Sequence, residues 1–98
     1  MPKKTPAKNG STAKVTFELQ GIAAEAVHVA GDFNEWSTSD TPLAKRKDGR
    51  FSTTLTLPAG KEYRYRFVLD GERWENDAAA DRYEPNDHGS EDSVLDLR

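Results

Sequence analysis

Two tryptophans, Trp36 and Trp74, are the side chains of this sequence best suited by type and position to hold a ligand. Trp36 follows an Asp-Phe-Asn-Glu run without a helix or strand period, and Trp74 follows an Asp-Gly turn dipeptide. A tryptophan in a loop exposes a large apolar surface unless another group covers it. Each indole can therefore have one of two roles: it caps an end of the hydrophobic core, or it stacks on the C–H face of a sugar ring.

Hydrogen-bonding side chains are the second requirement of a sugar site. A sugar ring carries a rim of hydroxyl groups, which amides, carboxylates and guanidinium groups can bind. The candidates in this sequence are Asn34, Arg66, Arg73 and Asp92. Asn34 has an equally good alternative role, because an asparagine in a turn hydrogen-bonds its own loop.

Groups suited to catalysis are sparse. The two histidines are His28, in a predicted strand, and His88, in a predicted loop. The sequence contains no Gly-x-Ser-x-Gly elbow, no phosphate-binding loop, no His-Glu-x-x-His pair and no cysteine. A glycosidase also needs a cleft that raises the pKa of one of two carboxyl groups, which a single small sandwich offers poorly. We therefore expect a protein that is not an enzyme and needs no cofactor.

Residues 75–92 are polar and acidic, and we predict that they form a long loop. Their oxygen-bearing side chains include Asp77, Asp81, Asn86, Asp87, Glu91 and Asp92. Calcium binds about six to eight oxygens of this kind, but the spacing lacks the EF-hand pattern and Gly89 does not have the required offset. We expect a solvated loop with no metal, and a weak calcium site is the alternative.

Length and charge limit the remaining classes of protein. The chain has 98 residues, of which 32% are charged, and this allows one small domain with a thin core. The first 14 residues hold four lysines and no acid, which leaves 10 basic and 17 acidic residues in the remainder. We expect residues 1–13 to be a disordered basic leader and residues 14–98 to be the folded domain. An acidic domain argues against a nucleic-acid surface.

Apolar runs are short throughout the sequence. None approaches the ~18 residues of a membrane span, and the basic N-terminus is not followed by the apolar segment of a signal peptide. We therefore expect no membrane partner and a cytoplasmic location.

Alternation of apolar and polar residues predicts an all-β fold. Period-two alternation runs through residues 15–19, 51–57 and 62–69, and shorter apolar segments lie at 27–29 and 93–97. About six or seven short strands with Gly and Pro turns are typical of an immunoglobulin-like β-sandwich, with a barrel as the alternative. The side chains expected in the core include Phe33, Leu43, Tyr65 and Phe67.

Several motifs occur in a specific order along the chain. They are Val-His-Val-Ala-Gly-Asp-Phe-Asn-Glu-Trp-Ser at 27–37, Leu-Pro-Ala-Gly-Lys-Glu-Tyr-Arg-Tyr-Arg-Phe-Val-Leu-Asp-Gly at 57–71, Trp74, and Gly-Ser-Glu-Asp-Ser-Val-Leu at 89–95. In this order the motifs resemble the family 48 carbohydrate-binding modules. That family includes the glycogen-binding domain of the AMP-activated protein kinase beta subunit and the early-set N-terminal domains of branching enzymes and isoamylases. The resemblance covers about residues 14–97 and implies an early-set, immunoglobulin-like sandwich that binds α-1,4-glucan without cleaving it.

The resemblance also implies a set of sugar-binding residues. In the glycogen-binding members two tryptophans form the sugar platform, and they fall on Trp36 and Trp74. A basic residue falls on Arg66, an asparagine on Asp92, and an apolar residue near His88. Two positions depart from the family. Asp92 accepts hydrogen bonds but cannot donate them as an amide does, and His88 replaces apolar surface with an amphipathic ring.

Two hypotheses for function follow. The first is a module that binds glycogen, starch or maltooligosaccharides, with the two tryptophans stacking on glucose units and hydroxyl groups bound by Arg66, Asp92, Asn34 and His88. The alternative is a protein-interaction or regulatory module that has kept the fold and lost the sugar, with a separate glucan-metabolising enzyme as its partner. The retained tryptophans favour the first hypothesis, and the departures at Asp92 and His88 favour the second.

Overall fold

The computed structural model describes residues 3–6, 10–21, 24–86 and 89–98. In these residues the chain forms strands and one turn of 3₁₀ helix at Asp32–Asn34. The strands are β1 (Lys3–Pro6), β2 (Thr12–Leu19), β3 (Val27–Gly31), β4 (Pro42–Lys45), β5 (Phe51–Pro58), β6 (Glu62–Leu69), β7 (Arg73–Glu75), β8 (Arg82–Pro85) and β9 (Glu91–Asp96). Within the described ranges no helix is long and apolar enough to cross a membrane. The expected cytoplasmic location stays a prediction.

The strands form two antiparallel sheets that share β4. Their order is β1-β2-β5-β4-β3-β6-β9-β8, and β7 pairs with the free part of β6. Pro42 and Leu43 pair with β3, whereas Ala44 and Lys45 pair with β5, so β4 passes from one sheet to the other. A strand that switches sheets in this way makes a corner of a sandwich. The predicted all-β, immunoglobulin-like sandwich is confirmed.

β6 separates the hydrophobic core from the outer face of its sheet. Its odd-numbered side chains at 63–69 are at most 3% exposed, and Tyr65 packs edge-on against Phe17 of β2 with ring centroids 5.0 Å apart. Because side chains alternate along a strand, Arg64 and Arg66 lie on the opposite, outer face. One strand therefore supplies both core aromatics and a polar surface.

Three of the four side chains expected in the core are buried, and the fourth packs against it. Leu43, Tyr65 and Phe67 are at most 6% exposed. Phe33 is partly buried and packs against the same cluster. Its ring lies 5.6 Å from that of Phe17, centroid to centroid, which places the start of the loop after β3 over the edge of the core.

β8 lies in the segment that the sequence predicted to be a long loop. It pairs along its whole length with β9, and the Tyr83 hydroxyl donates a hydrogen bond to the Asp77 carbonyl oxygen at 2.5 Å. The loop prediction for 75–92 is therefore wrong at these four residues, and also at the end of β7 (Glu75) and the start of β9 (Glu91 and Asp92). None of the four residues of β8 is buried, so the strand depends on backbone pairing. Its sequence therefore shows no alternation of buried apolar and exposed polar residues that would predict a strand.

The predicted disordered leader, residues 1–13, contains a strand in its described part. Lys3–Pro6 pairs with β2 as β1. The Lys4 ammonium group lies 2.5 Å from an Asp81 carboxylate oxygen and donates to the Asp96 carbonyl oxygen at 3.0 Å. Composition cannot reveal this contact, because it joins residues 77 positions apart. The division into a leader and a folded domain stays a prediction.

Candidate functional site

The loop after β3 holds Trp36 in an unusual backbone conformation. At Gly31 a Cβ atom would lie 2.5 Å from the Arg64 carbonyl oxygen, so the loop approaches β6 as closely as it does only because this residue is glycine. After the 3₁₀ helix, Glu35 and Trp36 have φ angles of 57° and 59°, in the left-handed region that bulky residues rarely adopt. Such a conformation costs on the order of 1–3 kcal/mol per residue and tends to occur at functional sites.

Asn34 ties the two ends of this loop together. Its Oδ1 accepts a hydrogen bond from the Gly31 amide at 3.0 Å, and its Nδ2 donates to the Val29 carbonyl and the Thr41 hydroxyl at 2.9 and 3.0 Å. Both Nδ2 hydrogens are thus used within the loop. Of the two roles left open for Asn34, the structure displays the turn role, and direct contact with a sugar stays a prediction.

Asp32 connects the Trp36 indole to β6. The Trp36 Nε1 donates to Asp32 Oδ1 at 3.1 Å, and the backbone amide of Arg64 donates to Asp32 Oδ2 at 2.8 Å. One carboxylate therefore orients the indole and anchors it to the strand that carries the arginines. Sequence reasoning missed this role because the Arg64 amide is 32 positions from Asp32.

Trp36 and Trp74 form one aromatic surface. Trp74 lies on β7 opposite Val68 of β6 and is 42% exposed. The two ring centroids are 6.5 Å apart and the ring planes are inclined by 36°. Neither indole belongs to the buried core cluster. Neither indole therefore caps the buried core cluster, and stacking on a ligand stays a prediction.

Arg66 and Asp92 form an ion pair beside this surface. The Arg66 Nε lies 3.2 Å from Asp92 Oδ1, at an angle that does not make a hydrogen bond. The Arg66 Nη2 donates to the Ser90 hydroxyl at 2.6 Å and to the Glu91 carbonyl at 2.5 Å. Asp92 is 7% exposed and also accepts from the Asn86 amide at 3.1 Å. The pair assigned by the resemblance is thus brought together, and direct contact of Asp92 with a sugar stays a prediction.

A second arginine, Arg64, shares the same carboxylate. Its Nη1 donates to the Pro85 carbonyl at 3.1 Å and lies 3.5 Å from Asp92 Oδ2. Sequence analysis did not select this residue. The spacing could have indicated it, because Arg64 and Arg66 are two positions apart on one strand and their side chains therefore lie on the same face of the sheet.

These side chains border one open groove on the outer face of the sheet. The groove is lined by Asp32, Trp36, Arg64, Arg66, Trp74, Pro85, Asn86, Ser90 and Asp92. Its volume of about 810 Å³ is within the range of small-ligand sites. The groove therefore brings together the two tryptophans, Arg66 and Asp92 from the predicted set. Asn34 is not in its lining, and His88 lies outside the described residues.

The acidic segment forms no cluster of metal-ligating side chains in the ranges that the structure describes. Asp77 is 5% exposed and accepts a hydrogen bond from the Tyr65 hydroxyl at 2.7 Å. Burial, together with this carboxylate, raises the pKa of Tyr65 far above its ordinary range. Asp81 pairs with Lys4, and Asp87 lies outside the described residues. The described carboxylates Asp77 and Asp81 are therefore used in contacts within the protein.

Comparison with known proteins finds similarity over most of this chain. The family described as the glycogen recognition site of AMP-activated protein kinase matches residues 13–98. The 1,4-alpha-glucan branching enzyme GlgB of Aquifex aeolicus (strain VF5) is 36% identical over 58 residues. That similarity covers 56% of this chain and 9% of the branching enzyme, so the chain spans about a tenth of its relative. By its match over nearly the whole sequence, the chain belongs to the family of the glycogen recognition site of AMP-activated protein kinase.

Proposed function

We propose that the groove binds α-1,4-glucan, such as glycogen, starch or a maltooligosaccharide, without cleaving it. The observation that carries this proposal is the pair of indoles, 6.5 Å apart and inclined by 36°, on the rim of a groove with guanidinium groups. Two inclined aromatic faces can stack on the C–H faces of successive units of a curved chain. Polar groups beside them bind the hydroxyl rim.

In this proposal the polar contacts come from the ion pair beside the indoles. Arg66 donates to hydroxyl groups of the sugar from its Nη1, because no hydrogen bond of that atom is found among the described residues. Asp92 holds that guanidinium in place and accepts from a hydroxyl group wherever its own partners leave an oxygen accessible. His88 and Asn34 are secondary contacts. Membership of a recognition family supports binding as the role, and a 1,4-alpha-glucan is named for the similar branching enzyme.

The test is a ¹H–¹⁵N NMR titration of the chain with maltoheptaose, with cellohexaose as the control ligand. We expect shifts of both indole Nε1–H signals and of amides in β6, β7 and residues 89–93, and no such shifts with the β-linked control. An absence of shifts at millimolar maltoheptaose, where an interaction of about 4 kcal/mol is detectable, would refute the proposal.

One observation favours the alternative, a protein-interaction module that has lost the sugar. Arg66, the basic residue implied by the resemblance, already donates to Ser90 and Glu91, and its side chain is only 17% exposed. A guanidinium held by the protein has fewer donors for a ligand. If maltoheptaose gives no shifts, the same spectra recorded with a purified glucan branching enzyme test this alternative. Broadening or shifts at the tryptophans would then support an enzyme partner.

A further inference from the structure

Arg64 lines the groove, and neither the family motif nor the site prediction assigns it a role. It lies on the outer face of β6 between two anchors. Its backbone amide donates to Asp32, and its Nη1 donates to the Pro85 carbonyl at 3.1 Å. The side chain nevertheless remains 41% exposed. Its position is therefore defined, and its side chain, which lines the groove, stays accessible to solvent.

The two arginines of the groove differ in how exposed their side chains are, and therefore in how accessible their unused donors are. Arg66 is 17% exposed, and its Nη2 donates to two protein oxygens at 2.5–2.6 Å. For Arg64, no hydrogen bond of Nε or Nη2 is found among the residues that the structure describes, and only Nη1 is engaged. These two nitrogens carry three N–H donors in a planar fork. The more available guanidinium is thus that of Arg64.

Asp32 couples Arg64 to the aromatic surface. The same carboxylate accepts from the Trp36 indole at 3.1 Å and from the Arg64 amide at 2.8 Å. The indole and the base of the arginine side chain are therefore held in a defined relation to each other. Trp36 and Arg64 both line the groove, so a glucose unit stacked on the indole shares that groove with the Arg64 guanidinium.

We infer that Arg64 is a sugar-binding residue of this groove, donating from Nε and Nη2 to hydroxyl groups of the glucan. Asp92 then serves as the shared counter-ion, since it lies 3.5 Å from Arg64 Nη1 and 3.2 Å from Arg66 Nε. This inference rests on the proposed function and adds a specific donor to it. It also accounts for a carboxylate at the position where the family has an asparagine, because an anion holds two guanidinium groups better than an amide does.

The test compares Arg64→Gln and Arg64→Lys with a matched control, Arg50→Gln. Arg50 has similar exposure, 44%, and similar carboxylate contacts, but it lies at the turn between β4 and β5 outside the groove. We expect Arg64→Gln to weaken maltoheptaose binding about tenfold, as loss of hydrogen bonds from a charged donor implies. Arg64→Lys should lose less, because it keeps a charged donor without the fork. Arg50→Gln should bind like the wild type.

The Nε–H signal of Arg64 in the wild-type chain gives a second readout that needs no substitution. It should shift during the titration, whereas the Nε–H signal of Arg50 should not. Two results would overturn the assignment of Arg64 alone, provided that the wild-type chain binds maltoheptaose. The first is an affinity of Arg64→Gln within twofold of the wild type, and the second is an Arg64 Nε–H signal that does not shift. A wild-type chain that does not bind overturns the proposed function itself.

Discussion

Replacing Asp32 by alanine is expected to weaken glucan binding by releasing Trp36. Two hydrogen bonds end on this carboxylate, from the Trp36 indole at 3.1 Å and from the Arg64 amide at 2.8 Å. Hydrogen bonds to charged groups contribute roughly 1.5–3 kcal/mol each when buried, and less at an exposed side chain such as Asp32. They offset part of the free-energy cost of the left-handed backbone conformation of Trp36, whose φ angle is 59°. That cost is on the order of 1–3 kcal/mol.

We therefore expect Asp32→Ala to lower the free energy of unfolding by about 1–2 kcal/mol. Affinity for maltoheptaose should fall by about tenfold, because the indole no longer has one fixed orientation. Asp32→Asn should lie between the alanine variant and the wild type. Its amide keeps one acceptor oxygen and places an NH₂ group against one of the two donors.

Urea denaturation measures the stability of these variants, and the NMR titration measures their affinity. The Trp36 Nε1–H signal reports directly on the hydrogen bond to Asp32. Asp40→Ala is the matched control, because Asp40 is an exposed aspartate of the same loop that does not line the groove. If Asp32→Ala binds as tightly as Asp40→Ala and its Trp36 signal is unmoved, the backbone of the loop alone holds the indole and the reasoning fails.

Three further results are expected. Trp74→Ala should keep the fold, because this side chain is 42% exposed, and should lose retention on amylose by about tenfold or more; unfolding of the variant would instead make Trp74 a core residue. Gly31→Ala should lower the unfolding free energy by about 1–3 kcal/mol in urea titrations, since its Cβ would lie 2.5 Å from a backbone oxygen of β6; a neutral effect would contradict the close approach. The pKa of Asp70 is lowered from 3.8 by hydrogen bonds from the amides of Ala26 and Glu25. The stability it contributes is present above that pH and lost as the pH falls through the lower folded-state pKa, so Asp70→Asn should flatten the loss of stability below about pH 4 relative to the wild type.

Features that depend on neighbours along the chain could be predicted from the sequence. The alternation in β6 separated Tyr65 and Phe67, which are buried, from Arg64 and Arg66 on the outer face. The same pattern cannot detect β8, because none of its residues is buried and its backbone pairing with β9 supplies its stability. It also cannot detect β1, whose partners lie in β2 and near the end of the chain.

The candidate site likewise combines residues that the sequence could predict with contacts that it could not. The residue types and motif order selected Trp36 and Trp74, and both line the groove. The partners of the predicted polar residues could not be read from local spacing. Asp92 was expected to bind sugar hydroxyl groups, and the structure adds that it lies 7% exposed between two guanidinium groups.

The sequence by itself determined the β-sandwich, the family and the two tryptophans that rim the groove. Period-two alternation and turn dipeptides act over a few residues, so they can be read without knowing what lies opposite. Only the tertiary structure decided that Asp32 accepts a hydrogen bond from the Trp36 indole, and that Arg64 has N–H groups with no partner among the described residues. Asp32 and Trp36 are only 4 positions apart, but the contacts of Arg64 with Asp32 and Asp92 join residues 32 and 28 positions apart, which meet because β3, β6 and β9 are neighbours in one sheet. Strand order is set by the packing of the whole core, and no local pattern specifies it.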